Sequence, residues 1–235
     1  MAFNINLYRI TMGTFTHIYR SSVGKKFIVG LTGLFLCTFL VEHLVGNFLL
    51  FKSDGGAAFN EYSEMMSHNI IIRTVEIILF LAFFFHILTA TILWWRNRKA
   101  RPKEYAQNHK SENSELASRI SFLTGSIVFI FLVIHLRTFF VPSRFFPSEN
   151  PSMYDLVVFA FSNTWYSLFY LVALVLLGYH LRHGFQSAFQ TFGIRGKKYQ
   201  SLIEWIGIIF WLLIPLGFAT MPIYFLLTTH AGGVL

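Results

Sequence analysis

The sequence predicts an all-α integral membrane protein, a five-helix bundle forming a single domain over residues 1–235. Three observations carry that expectation. Hydrophobic residues make up 54% of the chain and charged residues 13%, against about 25% charged in a soluble domain. Five stretches reach the roughly 20 apolar residues that a membrane-crossing helix needs. These stretches are continuous, without the alternation of a membrane barrel. With 28 Phe, 10 Tyr and 5 Trp, the chain carries too much apolar surface to stay disordered. The one cysteine, Cys37, excludes a disulfide framework, an iron–sulfur centre, a thiolate zinc site and haem attached through C-x-x-C-H.

The spans read as residues 27–51, 70–95, 120–141, 165–185 and 202–227. The first is too long for a signal-peptide core, and no small-residue cleavage site follows it, so it is expected to be retained. After Gly55-Gly56, residues 59–68 read as a short surface helix. Pro142, Pro147 and Pro151 break the chain before Met153–Ser162, an expected interfacial helix. Pro215 and Pro222 are expected to bend span five, which has no histidine and reads as structural.

The net charge of +8 would point to nucleic acid in a soluble protein; here lysine and arginine gather on one side of the membrane, and no nucleic acid is expected. Arg9, Arg20, Lys25 and Lys26 precede span one. Arg96, Arg98, Lys99, Arg101, Lys103 and Lys110 lie between spans two and three, and Arg195, Lys197 and Lys198 between four and five. The alternate connections carry Lys52 and Arg144. The positive-inside rule then places the N-terminus in the cytoplasm and the C-terminus outside.

Of nine histidines, four sit well inside spans, one in each of the first four: His43, His86, His135 and His180. Ionisable groups at such depth are costly and mark function by default. At about 1.5 Å per residue, His43 and His135 fall in the outer part of the bilayer and His86 and His180 in the inner part. Each pair joins helices running the same way. Two imidazoles facing each other at one depth suit the axial positions of one six-coordinate haem iron. The alternative for each is a hydrogen-bonded structural group or a proton relay. His183, one turn from His180, is an alternative inner ligand; His180 is preferred because it lies deeper. Gly46, Ala82, Ala90 and Gly184 sit near the ligands at helical spacing, with Gly30, Gly33 and Gly125 as further points of close approach. His17, His68, His109 and His230 fall in loops or ends.

The run Gly24-Lys25-Lys26 into Leu31-Thr32-Gly33-Leu34-Phe35, ending Glu42-His43-Leu44-Val45-Gly46-Asn47, resembles the first helix of the cytochrome b subunit of succinate dehydrogenase and fumarate reductase. The run His180-Leu181-Arg182-His183-Gly184-Phe185, continuing Gln186-Ser187-Ala188-Phe189-Gln190, resembles that family's fourth-helix ligand segment. The second and third helices match mainly by a histidine in an apolar run. The likeness covers nearly the whole chain and is nearest to the single-chain, two-haem anchors. It implies two haem b groups, with His43 and His135 on the outer iron and His86 and His180 on the inner. It also implies a flavoprotein and an iron–sulfur subunit on the cytoplasmic side, and a quinone, menaquinone first among them, as the membrane substrate. A bacterial cytoplasmic membrane is the implied location. This chain lacks a dinucleotide motif and the cysteines for such clusters, so the dicarboxylate chemistry would belong to its partners.

Quinone reduction needs protons, and the family places a glutamate where the first outer connection meets the second helix. Glu61 and Glu64 lie there with His68 beside them; each also reads as a solvated loop residue. Glu76 pairs with Arg73 at i, i+3. Glu42 should point away from its neighbour His43, as a proton-path group or hydrogen-bonded within the bundle. Arg137 and Arg182, each two residues beyond a proposed ligand, are candidates for haem propionates, with snorkelling to the headgroups as the equal alternative. Two rival functions stand beside this one: a haem b subunit of another quinone-linked complex (hydrogenase, formate dehydrogenase or nitrate reductase), and a haem-free transporter or proton channel.

Overall fold

The computed structural model describes residues 21–99, 121–146, 152–194 and 196–231. Arg9, His17, Arg20, Arg101, Lys103, His109, Lys110, Pro147, Pro151 and Arg195 lie outside the described residues, as do the side chains of Lys197 and His230. All regular elements among the described residues are helices, and five are long and apolar enough to cross a membrane: Ser22–Phe51, Ile70–Lys99, Ser121–Phe145, Thr164–Thr191 and Lys198–Thr229.

Span one is α1, Ser22–Asn47, tightening into a 3-10 turn over Phe48–Phe51. Ser21 starts it by accepting from the Gly24 N–H at 2.9 Å. The first connection holds α2, Ala57–His68. Asp54 accepts from the amides of Gly56 and Ala58, both at 3.0 Å, and so nucleates α2. Gly56 stands at φ +86°, in the left-handed region, with the Tyr154 ring where a Cβ would project. Span two is α3, Ile70–Lys99, opened by Asn69 accepting from Ile71 N–H at 2.9 Å.

Span three begins as α4, Ser121–His135, widens into a π segment, Leu136–Phe140, and ends as α5, Val141–Phe145. Pro142 was expected to break the chain but lies inside the span. The π segment upstream relieves the clash a proline makes with the carbonyl four residues before it. A π segment also precedes Pro215: α8, Lys197–Ile208, passes through Ile209–Leu213 into α9, Ile214–Ala231. Pro222 sits within α9.

The connection between spans three and four carries α6, Met153–Ser162, as read from the sequence. Ser152 and Asp155 cap it reciprocally: Ser152 Oγ accepts from the Asp155 amide at 3.2 Å and donates to its carboxylate at 2.7 Å. Span four is α7, Thr164–Thr191, the most buried of the five and the longer for running past Phe185.

Span four packs against spans one, three and five; span one packs against spans two and four. The first four spans therefore stand in chain order around a square, with the side between two and three loosely closed. The diagonals, one with three and two with four, are not among the packed backbone pairs. Ile70, Phe159 and Trp165 are largely bare. Trp165 at one end and Trp95 and Trp205 toward the other are also exposed. Lys25, Lys26, Arg96, Arg98, Lys99 and Lys198 gather at one end, here the basic end; α2 and α6 cover the other, the capped end.

Candidate functional site: two histidine pairs on the diagonals of the bundle

The four intramembrane histidines meet across the diagonals. His43 on α1 faces His135 on α4, ring centres 5.8 Å apart and planes at 86°. His86 on α3 faces His180 on α7 at 6.3 Å and 77°. Diagonal helices that do not pack backbone to backbone thus approach through imidazoles.

The levels of the two pairs follow from neighbours. A Cβ on Gly33 of α1 would lie 3.2 Å from His86 Cε1, and one on Gly125 of α4 would lie 3.0 Å from His180 Cε1. Tyr170 of α7 touches His135. Gly33 to His43, Gly125 to His135 and Tyr170 to His180 are each ten residues, or about 15 Å of rise. Three helices agree that the pairs are stacked along the bundle axis, His86–His180 nearer the basic end.

Each ring is held through Nδ1 to a different degree. His86 Nδ1 lies 3.2 Å from both the Val29 carbonyl and the Thr32 hydroxyl of the neighbouring α1. His135 Nδ1 lies 2.9 Å from the Tyr170 hydroxyl of the neighbouring α7. His43 has the Asn47 side-chain amide, one turn along its own helix, at 3.4 Å. His180 Nδ1 is buried and meets the backbone of Ser121 on the neighbouring α4. None of the four Nε2 atoms makes a hydrogen bond among the described contacts.

Each pair offers two imidazole donors, the number that a six-coordinate haem iron takes from a protein. The described residues contain no group of three or more His, Cys, Asp or Glu able to hold a metal, whereas a protein zinc cage needs three or four such ligands. A porphyrin supplies four equatorial nitrogens and asks the protein for two axial ones. Metal–imidazole bonds of about 2.0 Å, plus about 1.1 Å from each nitrogen to its ring centre, put coaxial imidazoles about 6.2 Å apart. The two observed separations bracket that value. Thr89 Oγ1, one turn from His86, is buried without a hydrogen-bond partner.

The remaining candidates divide. Gly33 and Gly125 lie beside imidazoles, while Gly46 receives the Tyr62 ring, Gly30 packs on Ala188 and Phe192, and Gly184 has open space around it. His183 is half-buried beside the pair; it is His180 whose ring faces His86. Arg182 lies over the Trp211 ring at 5.5 Å, a cation–π contact. Arg137 is exposed on the π segment. Glu61, Glu64 and His68 are exposed on α2, with His68 Nδ1 near Ser67 Oγ at 2.9 Å and the Glu64 carbonyl at 3.0 Å. Arg73 donates to Glu76 at 3.1 Å, and Arg144 comes within 4.0 Å of the same carboxylate.

Glu42 turns away from the pair and accepts a 2.5 Å hydrogen bond from the Tyr62 hydroxyl. Tyr62 lies against Gly46, and burial first, then Glu42, pushes its phenol well above the ordinary tyrosine range. Sequence reasoning missed Tyr62, Tyr170, Tyr166, Val29 and Thr32. Only Tyr170 had a usable signal: it stands on span four at the depth where His135 was expected.

Compared with protein-family models, with curated proteins and with solved structures, the chain has no match.

Proposed function

We propose that the chain is a two-haem cytochrome b, the membrane anchor of a succinate:quinone oxidoreductase, carrying electrons between an iron–sulfur subunit and a membrane quinone. The single observation that carries the reading is the meeting of four imidazoles as two stacked diagonal pairs, each at a separation that suits two ligands on one iron. His43 and His135 would hold the outer haem b, His86 and His180 the inner. When bound, haem b supplies one-electron carriage, and closure of both axial positions favours that over oxygen chemistry. The chain's own residues orient the ligands: Val29 and Thr32 fix His86, and Tyr170 fixes His135.

The orientation follows from the basic end, which the positive-inside rule assigns to the cytoplasm of a bacterial inner membrane. The iron–sulfur subunit and its flavoprotein would dock there, near the inner pair. The quinone, menaquinone first, would be served near the outer pair, under α2 and α6. Arg137 and Arg182 remain candidates for propionates, with Arg182 first having to leave Trp211. Dicarboxylate chemistry belongs to the partners.

Isolation of the intact complex through a tag on this chain tests the assignment. The expected companions are a flavoprotein with covalently held flavin and an iron–sulfur protein, together reducing a quinone with succinate. Recovery with a hydrogenase, formate dehydrogenase or nitrate reductase subunit would move the chain to the rival complex while leaving the haem sites in place.

A further inference from the structure

Tyr170 is a tyrosine in an otherwise apolar core. It is 5% exposed, and its ring is enclosed by Phe131, Phe139, Phe161 and Phe169. Its hydroxyl lies 2.9 Å from His135 Nδ1 and 3.1 Å from the Tyr166 hydroxyl. Tyr166 in turn faces Thr138, which belongs to the π segment that begins immediately after His135. Thr138 gives its own proton to the Ile134 carbonyl at 3.0 Å. The chain of hydroxyls therefore leaves span three at His135, passes through two tyrosines of span four and returns to span three three residues later.

Tyr166 gives its proton to the Tyr170 oxygen. Which group donates across the 2.9 Å contact between Tyr170 and His135 is set by the imidazole tautomer: a metal on Nε2 takes that nitrogen's lone pair, so the ring proton sits on Nδ1 and the Tyr170 oxygen accepts it. The opposite direction would have Tyr170 donate to Nδ1, putting the imidazole proton on Nε2 and removing the lone pair a metal needs.

We propose that Tyr170 is the positioning residue of the outer site, its hydroxyl accepting the Nδ1 proton of His135 and holding that ring in the tautomer and rotation that present Nε2 to iron. The inference rests on the haem reading above and deepens it. An acceptor on Nδ1–H raises the basicity of the ligated imidazole, which favours the oxidised iron. The partner ring His43 has a side-chain amide from its own helix in place of such an acceptor, so the control falls on His135.

The test uses the whole haem-loaded complex in detergent, with potentiometric titration of both haems and low-temperature electron paramagnetic resonance. Tyr170→Phe keeps the ring in its packing and removes the acceptor. The expected result is an upward shift of the outer haem's midpoint potential and altered g values for that haem alone. Because Tyr170→Phe can also lose the outer haem, 3-fluorotyrosine placed at position 170 is the second variant. It keeps ring and hydroxyl but weakens the acceptor, and a smaller upward shift is expected. An outer haem whose potential is unmoved in the fluorotyrosine form overturns the inference. A wild-type complex that binds no haem overturns the underlying reading instead.

Discussion

Four imidazoles in apolar helices would each cost free energy unless their polar atoms were used, and the way each is used separates them. His86 and His135 are tied at Nδ1 to groups on a neighbouring helix, and His180 meets the Ser121 backbone of α4, whereas His43 has Asn47 of its own helix. His43→Ala or His135→Ala is expected to lower bound haem from about two to about one per chain and to leave the inner signal intact. A haem assay after purification checks this; two haems retained in His135→Ala would show the pairing to be wrong. The glycines beside the rings make a second prediction. Gly125→Val puts carbon within 3.0 Å of the His180 ring, and is expected to remove the inner haem while sparing the outer. Gly46→Ala, which meets Tyr62 rather than an imidazole, is expected to leave both spectra unchanged. The histidines and their depths were legible because 1.5 Å per residue converts sequence position to height. The glycines were legible only as small residues, since which ring each one faces depends on helix rotation and packing.

At the scale of elements, the spans and both surface helices follow from apolar run length and turn residues. Their ends and internal faults do not. Pro142 and Pro215 were readable as breakers, but a π segment precedes each one, and hydropathy carries no trace of that choice. The capped end depends on two specific contacts. Gly56→Ala forces a side chain into a left-handed backbone, costing about 1–2 kcal/mol, and into the Tyr154 ring besides. Faster proteolysis of the connection between spans one and two, with haem content unchanged, is the expected outcome. Tyr62 fastens α2 to α1 through Glu42. Because the folded phenol is raised above its unfolded value near 10, this contact contributes fully below about pH 10 and is lost as pH climbs past that value. Proteolysis of the connection should therefore be flat across neutral pH and rise only in strong alkali. In Tyr62→Phe that alkaline rise should shrink, over a baseline raised by a hydrogen bond worth about 1 kcal/mol.

For the molecule as a whole, chain order around a square brings helices of like direction to opposite corners, and the same order puts the histidines of spans one and three, and of two and four, on the two diagonals. Apolar length and histidine depth were enough to foresee the five spans and the two histidine pairs. The hydroxyl chain from His135 to Thr138 was not, because it is built from two helices whose mutual rotation is set by aromatic packing around Tyr170. The most direct measurement of the account is haem per chain, with the reduced visible spectrum, on protein purified from haem-supplied cells. Two haem b per chain with sharp low-spin bands is the expected result; a colourless protein that stays colourless after reconstitution with iron porphyrin would contradict it.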